Sequence, residues 1–256
     1  RAAAEVIPRL IQDRQVDLCI ANSENAAGGF GMTENIVKKL RAYGVDVVTS
    51  GNHVWNRPDF VRRLDKVERV LRPLNYPDDA PGNGSIIVEA RDGTKVGVVN
   101  LQGRTFMASI DCPFRIGEQR VEELRQETPC IFVDFHAEAT AEKVALGYHL
   151  DGRVSAVIGT HTHIQTADER LLPKGTAYLT DAGMTGVQES VIGTRAEIAV
   201  QRFIDGVPAR FKPADGDPML CGALIDIDAD SGRATAIERL QVRIDNTLAA
   251  DVGDED

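Results

Sequence analysis

The chain is predicted to fold as one α/β domain spanning residues 1–256, a sandwich of two mixed sheets with helices on the outside. Three observations predict it. In the first half, short apolar runs rich in β-branched residues alternate with helical stretches. In the second half the periodicity changes to short runs linked as hairpins. Finally, several of the apolar runs end in Asn, Glu or His, and α/β sheets bind ligands just outside the carboxyl ends of their strands.

Ala2 to about Gln12 reads as a helix with Val6, Ile7, Leu10 and Ile11 on one side. Val16–Ala21 is an apolar strand, followed by Asn22-Ser23-Glu24-Asn25 and the Gly-rich run Ala26–Gly31. Thr33 is placed to N-cap a helix that runs to Tyr43, with Gly44 where a helix commonly ends. Val45–Thr49 is a second buried strand and leads into Gly51-Asn52-His53. Pro58 suits the first turn of a helix reaching about Val67. Ser85–Ala90 and Lys95–Asn100 flank an Asp92-Gly93 hairpin turn. Leu101–Arg115 is long and irregular, then a helix is expected near Glu118–Gln126 and a strand over Cys130–Phe135, ending at His136. Ala139–Tyr148 looks helical, with His149 just beyond it as a structural residue, and Val154–Gly159 is the strand before His161 and His163. Thr176–Thr180, Cys221–Ile227 and Ala234–Ile244 are expected as antiparallel strands, interrupted by a helix near Arg195–Ile204. The acidic stretch Asp251–Asp256 is expected to fray.

Composition narrows the function classes. With 43% hydrophobic residues the chain can bury a large core, and no Ser/Gly/Pro linker divides it. No apolar run approaches the ~20 residues of a membrane helix, and the start does not read as a signal peptide. The formal charge of -10, with no dense basic patch, argues against strong nucleic-acid binding but allows an anionic small substrate if a metal supplies positive charge. Cys19, Cys112, Cys130 and Cys221 form no CxxC pair, which fits reduced thiols in a cytoplasmic protein. A homo-oligomer is compatible with all of this.

The chemistry gathers at strand ends. Glu24 and Asn25, Asn52 and His53, His136, and the pair His161 and His163 each follow a predicted strand, so they should meet at one rim. In an extended segment residues i and i+2 share a side, so His161 and His163 can converge on one centre. A carboxylate, amide oxygens and imidazoles suit a borderline divalent ion such as manganese, iron or zinc, and Glu24 is long enough to bridge two. Each residue alone has an ordinary reading: a strand-terminal His is often a hydrogen-bonded structural residue, and Asn52 or Glu24-Asn25 could serve a turn. The chain has only 5 histidines, however, and four stand in this same arrangement. Two look-alike motifs fail. His136-Ala137-Glu138 lacks the downstream P-C-x-x-C of zinc deaminases, and Ala27–Gly31 lacks the lysine and the spacing of phosphate loops.

Gly51-Asn52-His53 with Gly159-Thr160-His161-Thr162-His163 resembles the calcineurin-like metallophosphoesterases. The chain is most similar to their YmdB-type branch, through Glu24–Gly31, Gly51–Trp55, Val133–Thr140 and Gly175–Gly186, motifs spread over essentially its whole length. The resemblance implies a four-layer α/β/β/α sandwich of the metallo-dependent phosphatase type. It implies a phosphodiesterase with two divalent ions, iron or manganese with zinc as a third choice, acting on cyclic nucleotides and 2′,3′-cyclic phosphates in particular. Carried over by position, Glu24 bridges the ions, Asn25 and His163 serve one, and Asn52, His136 and His161 serve the other. A hydroxide between the ions attacks phosphorus, and His53 is the acid near the leaving group. Family members begin with a strand ending in an aspartate of the type G-D-x-x-G, whereas this chain starts at Arg1, inside the following helix. The first strand is therefore expected to be missing here, as in an N-terminally truncated sequence.

Two other readings compete. A metal-bound regulatory or binding protein with little or no catalysis would use the same ligands. A TIM-barrel amidohydrolase also carries an H-x-H pair, but normally on its first strand, whereas here the pair follows residue 160 and three other ligand-bearing strands. Substrate-binding residues are not specified: Arg104, Phe106, Asp181 and the loop near Met184 are candidates for the rim or for packing.

Overall fold

The computed structural model describes residues 1–210 and 212–244, so the acidic 251–256 stretch lies outside the described residues. In chain order the elements are α1 (Ala2–Asp13), β1 (Ile20–Asn22), α2 (Glu34–Ala42), β2 (Val47–Thr49), α3 (Pro58–Val61), β3 (Ser85–Glu89), β4 (Lys95–Gln102), α4 (Pro113–Leu124), β5 (Ile131–His136), α5 (Thr140–Leu150), β6 (Ala156–Thr160), β7 (Arg170–Leu171), β8 (Ala177–Leu179), β9 (Gly186–Val187), α6 (Ala196–Asp205), β10 (Pro218–Ile227) and β11 (Ala234–Arg243). Short 3₁₀ turns cover Asn52–Asn56 and Leu64–Lys66.

Local chemistry explains several boundaries. The Thr33 side chain accepts from the Ile36 amide at 3.3 Å, Glu34 stands in the first turn of α2, and Lys39 and Arg41 stand in its last. These charges complement the helix dipole. Gly44 then takes φ +102, open to a residue without Cβ. Helix α4 starts at Pro113, several residues before the expected Glu118, because the Asp111-Cys112-Pro113 corner is its entry and proline suits the first turn. The helix expected from Pro58 to Val67 is broken into α3 and a 3₁₀ turn. His149 lies inside the last turn of α5 rather than after it, its ring edge-on to Phe114 at 5.5 Å and away from the other histidines.

The largest sheet has the order β3-β4-β5-β6-β8-β7. β4, β5, β6 and β8 run parallel, while β3 and β7 are antiparallel edges. The Thr176–Thr180 stretch, expected as antiparallel, is thus a parallel partner of β6 through β8. Three residues carry no signal of direction, and residues 161–176, including β7, supply the crossover that a parallel pair needs. Facing this sheet are the parallel pair β1-β2 and the antiparallel strands β11-β10-β9.

Hydrophobic cores define the layers. Val99, Leu101, Ile131, Val133, Phe135 and Val157 pack one face of the large sheet against Val121 and Leu124 of α4 and Leu146 and Leu150 of α5. Val98, Val88 and Val96 turn to the other face and meet Val47 and Ile20 of the β1-β2 pair. Ile158 and Leu179 there meet Ala223, Ile225 and Ile237 of the β10-β11 hairpin. Beyond this second sheet, Val6 and Ile7 of α1 and Val37 of α2 cover Val45, Val48 and Leu220. The result is the four-layer α/β/β/α sandwich, with neighbouring residues of one strand serving opposite faces. No helix among the described residues is long and apolar enough to cross a membrane.

Candidate metal centre

The carboxyl ends of β1, β2, β5 and β6 come together at one rim, where the two sheets meet. Glu24 follows β1 by two residues, Asn52 follows β2, His136 is the last residue of β5, and His161 is the first after β6. Gly51 allows this approach. A Cβ there would land on the His136 ring and against the Glu24 carboxylate, so only a bare backbone fits between them.

His136 Nε2 is the centre of the group. It lies 3.1 Å from Glu24 Oε1, 3.1 Å from Asn52 Oδ1 and 3.0 Å from His161 Nδ1. The ligand atoms of Glu24, His136 and His161 all fall within 4.8 Å of one another. Glu24 and His136 are almost wholly buried. To one side, Asn25 Nδ2 is 3.2 Å from Glu24 Oε1 and 3.2 Å from His163 Nε2. Asn52, His136 and His161 thus lie on one flank of Glu24, and Asn25 and His163 on the other.

Protonation at this point has two solutions. With a proton on His136 Nε2, burial pushes the Glu24 carboxyl up. The His136 hydrogen bond and charge and the His53 amide, donating to Oε2 at 3.0 Å, more than reverse that and lower it to about 2. With the proton on Nδ1 instead, four acceptor atoms face one another, a donor set that suits a divalent cation. His161 is lowered to about 4 by burial and then by the charge on the neighbouring His136, while Glu24 and Glu138 partly oppose the shift. Its Nε2 lies 2.9 Å from Glu138 Oε2, leaving Nδ1 to face the cluster. The residues fit a divalent ion on a further count: Asn25 Oδ1 is buried without a hydrogen-bond partner, an orphaned acceptor beside the cluster.

The His161-Thr162-His163 turn is a strained piece of backbone. His161 and His163 have φ +102 and +67, positions that cost about 1–3 kcal/mol each for residues with a Cβ. Asp181 holds the turn from beneath, accepting from the Thr162 amide at 3.0 Å and the Thr162 hydroxyl at 2.7 Å. A fully buried ion pair, Lys143 Nζ to Asp181 Oδ2 at 2.6 Å, anchors that carboxylate. Asp181 is therefore packing for the turn and not part of a substrate rim, while Arg104 and Phe106 stay exposed.

His53 sits beside the cluster without entering it. Its amide binds Glu24, and its ring packs edge-on against Phe30 with centroids 4.9 Å apart. Gly28, Gly29 and Gly31 all have positive φ, which bends the chain over His53. Arg57 latches that bend through the Phe30 carbonyl at 3.1 Å and the Ala27 carbonyl.

Four residues that sequence reasoning passed over support this geometry: Asp134, Glu138, Lys143 and Thr160. A signal for Asp134 was available, since an acid in the buried run Ile131–His136, two residues before a ligand, must share its face. Burial raises the Asp134 carboxyl above its usual range, partly offset by its hydrogen bonds to Thr49, Asn22 and Thr160 and by His136.

The family model for YmdB-like proteins matches residues 1–240. A 2′,3′-cyclic-nucleotide 2′-phosphodiesterase of Bacillus subtilis is 46% identical over 242 residues, which cover 94% of this chain and 91% of that protein. The crystal structure of a hypothetical protein from Thermus thermophilus superposes with a TM-score of 0.88 at 42% identity, covering 95% of this chain and 93% of that one. That of a novel phosphatase from Mycoplasma pneumoniae gives 0.87 at 31% identity, covering 95% and 89%. Matched over nearly its full length in sequence and fold, the chain belongs to the YmdB-like family.

Proposed function

We propose that this protein is a metal-dependent phosphodiesterase that hydrolyses cyclic nucleotides, 2′,3′-cyclic phosphates in particular. The observation that carries the reading is the convergence of Glu24 and Asn52 from one sheet with His136 and His161 from the other. Glu24, Asn52, His136 and His161 would hold one divalent ion, and Asn25 and His163 beside Glu24 would hold a second. The mixed oxygen and imidazole donors favour iron or manganese, with zinc also compatible. Bound there, divalent ions would offset the charge of the phosphodiester and lower the pKa of an attacking water.

The protein's own residues do the rest. Glu24 is ionised at neutral pH and the His161 imidazole is neutral, so neither brings a competing proton to the cluster. The departing ribose oxygen needs a proton, and in this reading His53 donates it; the tie of its amide to Glu24 and the packing of its ring on Phe30 support that role. The Gly-rich bend over that ring offers bare backbone to the substrate and limits water. Residues 1–256 act in this reading as one metallophosphoesterase domain, supported by a centre built from both sheets. A cytoplasmic location is supported by the four free cysteines.

The test is a panel of cyclic and linear phosphodiesters assayed with each metal, together with metal analysis of His53→Ala. Turnover on 2′,3′-cyclic substrates should fall by about 10²–10⁴-fold in that variant with metal content unchanged. Parallel loss of metal would make His53 a ligand. Bound metal with no turnover on any diester would favour a binding protein and overturn the proposal.

A further inference from the structure

We infer, on the phosphodiesterase reading given above and with His53 as its acid, that Phe30 determines specificity by stacking on the nucleobase of the cyclic nucleotide. The centre then favours diesters that carry a base, and purines above pyrimidines. Phe30 is 46% exposed although its ring meets that of His53 edge-on, with centroids 4.9 Å apart and planes at 69°. An aromatic ring has two faces, and one such contact occupies at most one of them. The exposed remainder is free to take a ligand. Among the described residues Phe106, Tyr148 and Phe203 are also exposed, but only Phe30 has its ring against a residue of the site.

The backbone holds that ring in place. The Gly29 amide donates to the Asn25 carbonyl at 3.0 Å and the Ala27 amide to the Gly31 carbonyl at 3.0 Å, so the bend closes on itself and on the Glu24-Asn25 pair. Arg57 Nε donates to the Phe30 carbonyl at 3.1 Å, and a Cβ at Gly31 would come within 2.7 Å of Arg57 Cγ. A ring set before the substrate arrives gives up little freedom on binding, which favours a stacking contact. Substrate chemistry supplies the occupant. In a 2′,3′-cyclic nucleotide the phosphate is fused across ribose carbons 2 and 3, and the base stands on carbon 1. Whichever of the two ribose oxygens His53 protonates, the base emerges close beside it, and the exposed aromatic surface there is Phe30. Every base has a π face, so stacking tolerates all of them, and the larger purine ring gains more.

A simpler role for Phe30 is to brace the His53 ring, and the two roles separate by substrate. Bracing acts on every diester, whereas stacking acts only on those with a base. The measurement is kcat and KM of the full-length protein loaded with manganese, on 2′,3′-cyclic AMP and on methyl riboside 2,3-cyclic phosphate. The second compound keeps the sugar and the cyclic diester but has a methoxy group in place of the base. Phe30→Ala should lower the ratio of the two kcat/KM values about 10–100-fold, mainly through KM for 2′,3′-cyclic AMP. Phe30→Leu keeps an apolar contact for His53 but has no π face, and should lower the ratio nearly as far. Phe30→Trp should hold it within about threefold of wild type, and 2′,3′-cyclic UMP should lose less than 2′,3′-cyclic AMP in Phe30→Ala. An unchanged ratio in Phe30→Ala and Phe30→Leu, with turnover of both compounds lowered together, would overturn the inference in favour of bracing. A loss in Phe30→Trp as large as in Phe30→Ala would overturn it too. A metal-loaded wild type that hydrolyses neither compound would instead sink the phosphodiesterase reading itself.

Discussion

The layer between the two sheets has two ends that share the same strands and differ in chemistry. At the amino ends Ile20, Val47, Val98, Phe132 and Ala156 make dry apolar contact. Two residues further along each strand, on the same face, stand Asn22, Thr49, Asn100, Asp134 and Ile158, and two further on β5 and β6 stand His136 and Thr160. On most of these strands the pleat thus carries the interface from hydrophobic to polar within one step. Asn22, Thr49 and Thr160 close on Asp134, and Asn100 Oδ1 accepts from the Ser50 amide at 3.0 Å. The apolar end supplies cohesion without direction; the polar end spends its donors and acceptors fixing where side chains point.

Mutations can break that contrast, starting from the polar end. Gly51→Ala would drive a methyl group into His136 and Glu24, displacing both ligands while leaving the apolar end intact. Activity and metal affinity should each drop by at least about 100-fold, since displacements near 1 Å carry such losses. A near-wild-type chelator titration would show that the ligands are not where we place them. Asp181→Ala should be the most destabilising change, because it leaves Lys143 buried without its partner. We expect a loss of about 3–5 kcal/mol, read as a drop of roughly 10 °C or more in melting temperature.

At the apolar end, Val98→Ala removes a fully buried side chain and should cost about 2 kcal/mol, with metal affinity unchanged. A change in affinity there would mean that the two ends are not independent. The smallest effect concerns thiols. Burial pushes Cys130, at the apolar end, above its usual range. Cys112 is raised by burial, but the Arg115 and Phe114 amides and Arg104 outweigh it and lower it below its usual range. Cys112 should therefore label first with a thiol reagent near pH 8, and Cys130 only on unfolding. Early labelling of Cys130 would show that water reaches the layer.

Much of this was legible in the chain. The candidate site positions follow from a simple pattern, a buried run of β-branched residues ending in Glu, Asn or His, and the structure brings Glu24, Asn52, His136 and His161 together. Helix α2 was readable from Thr33 and Gly44 because caps are local chemistry. The errors came where the signal is not local. β8 is too short to announce its direction, and whether Asp181 served the rim or packing stayed open in the chain because its partner Lys143 lies 38 positions earlier.

The sequence by itself determined the kind of chemistry: which donors exist, that they follow strands, and that alternation places residues two apart on one face. Only the tertiary structure decided which groups meet around them. Thr160 is an ordinary threonine in the chain and meets both Asp134 and His136 solely because β6 lies beside β5. Asp134 becomes a shared acceptor because the second sheet brings Asn22 and Thr49 against it. Hydrogen-bond direction depends on which groups meet across space, and such meetings between distant segments leave no periodic trace in the sequence.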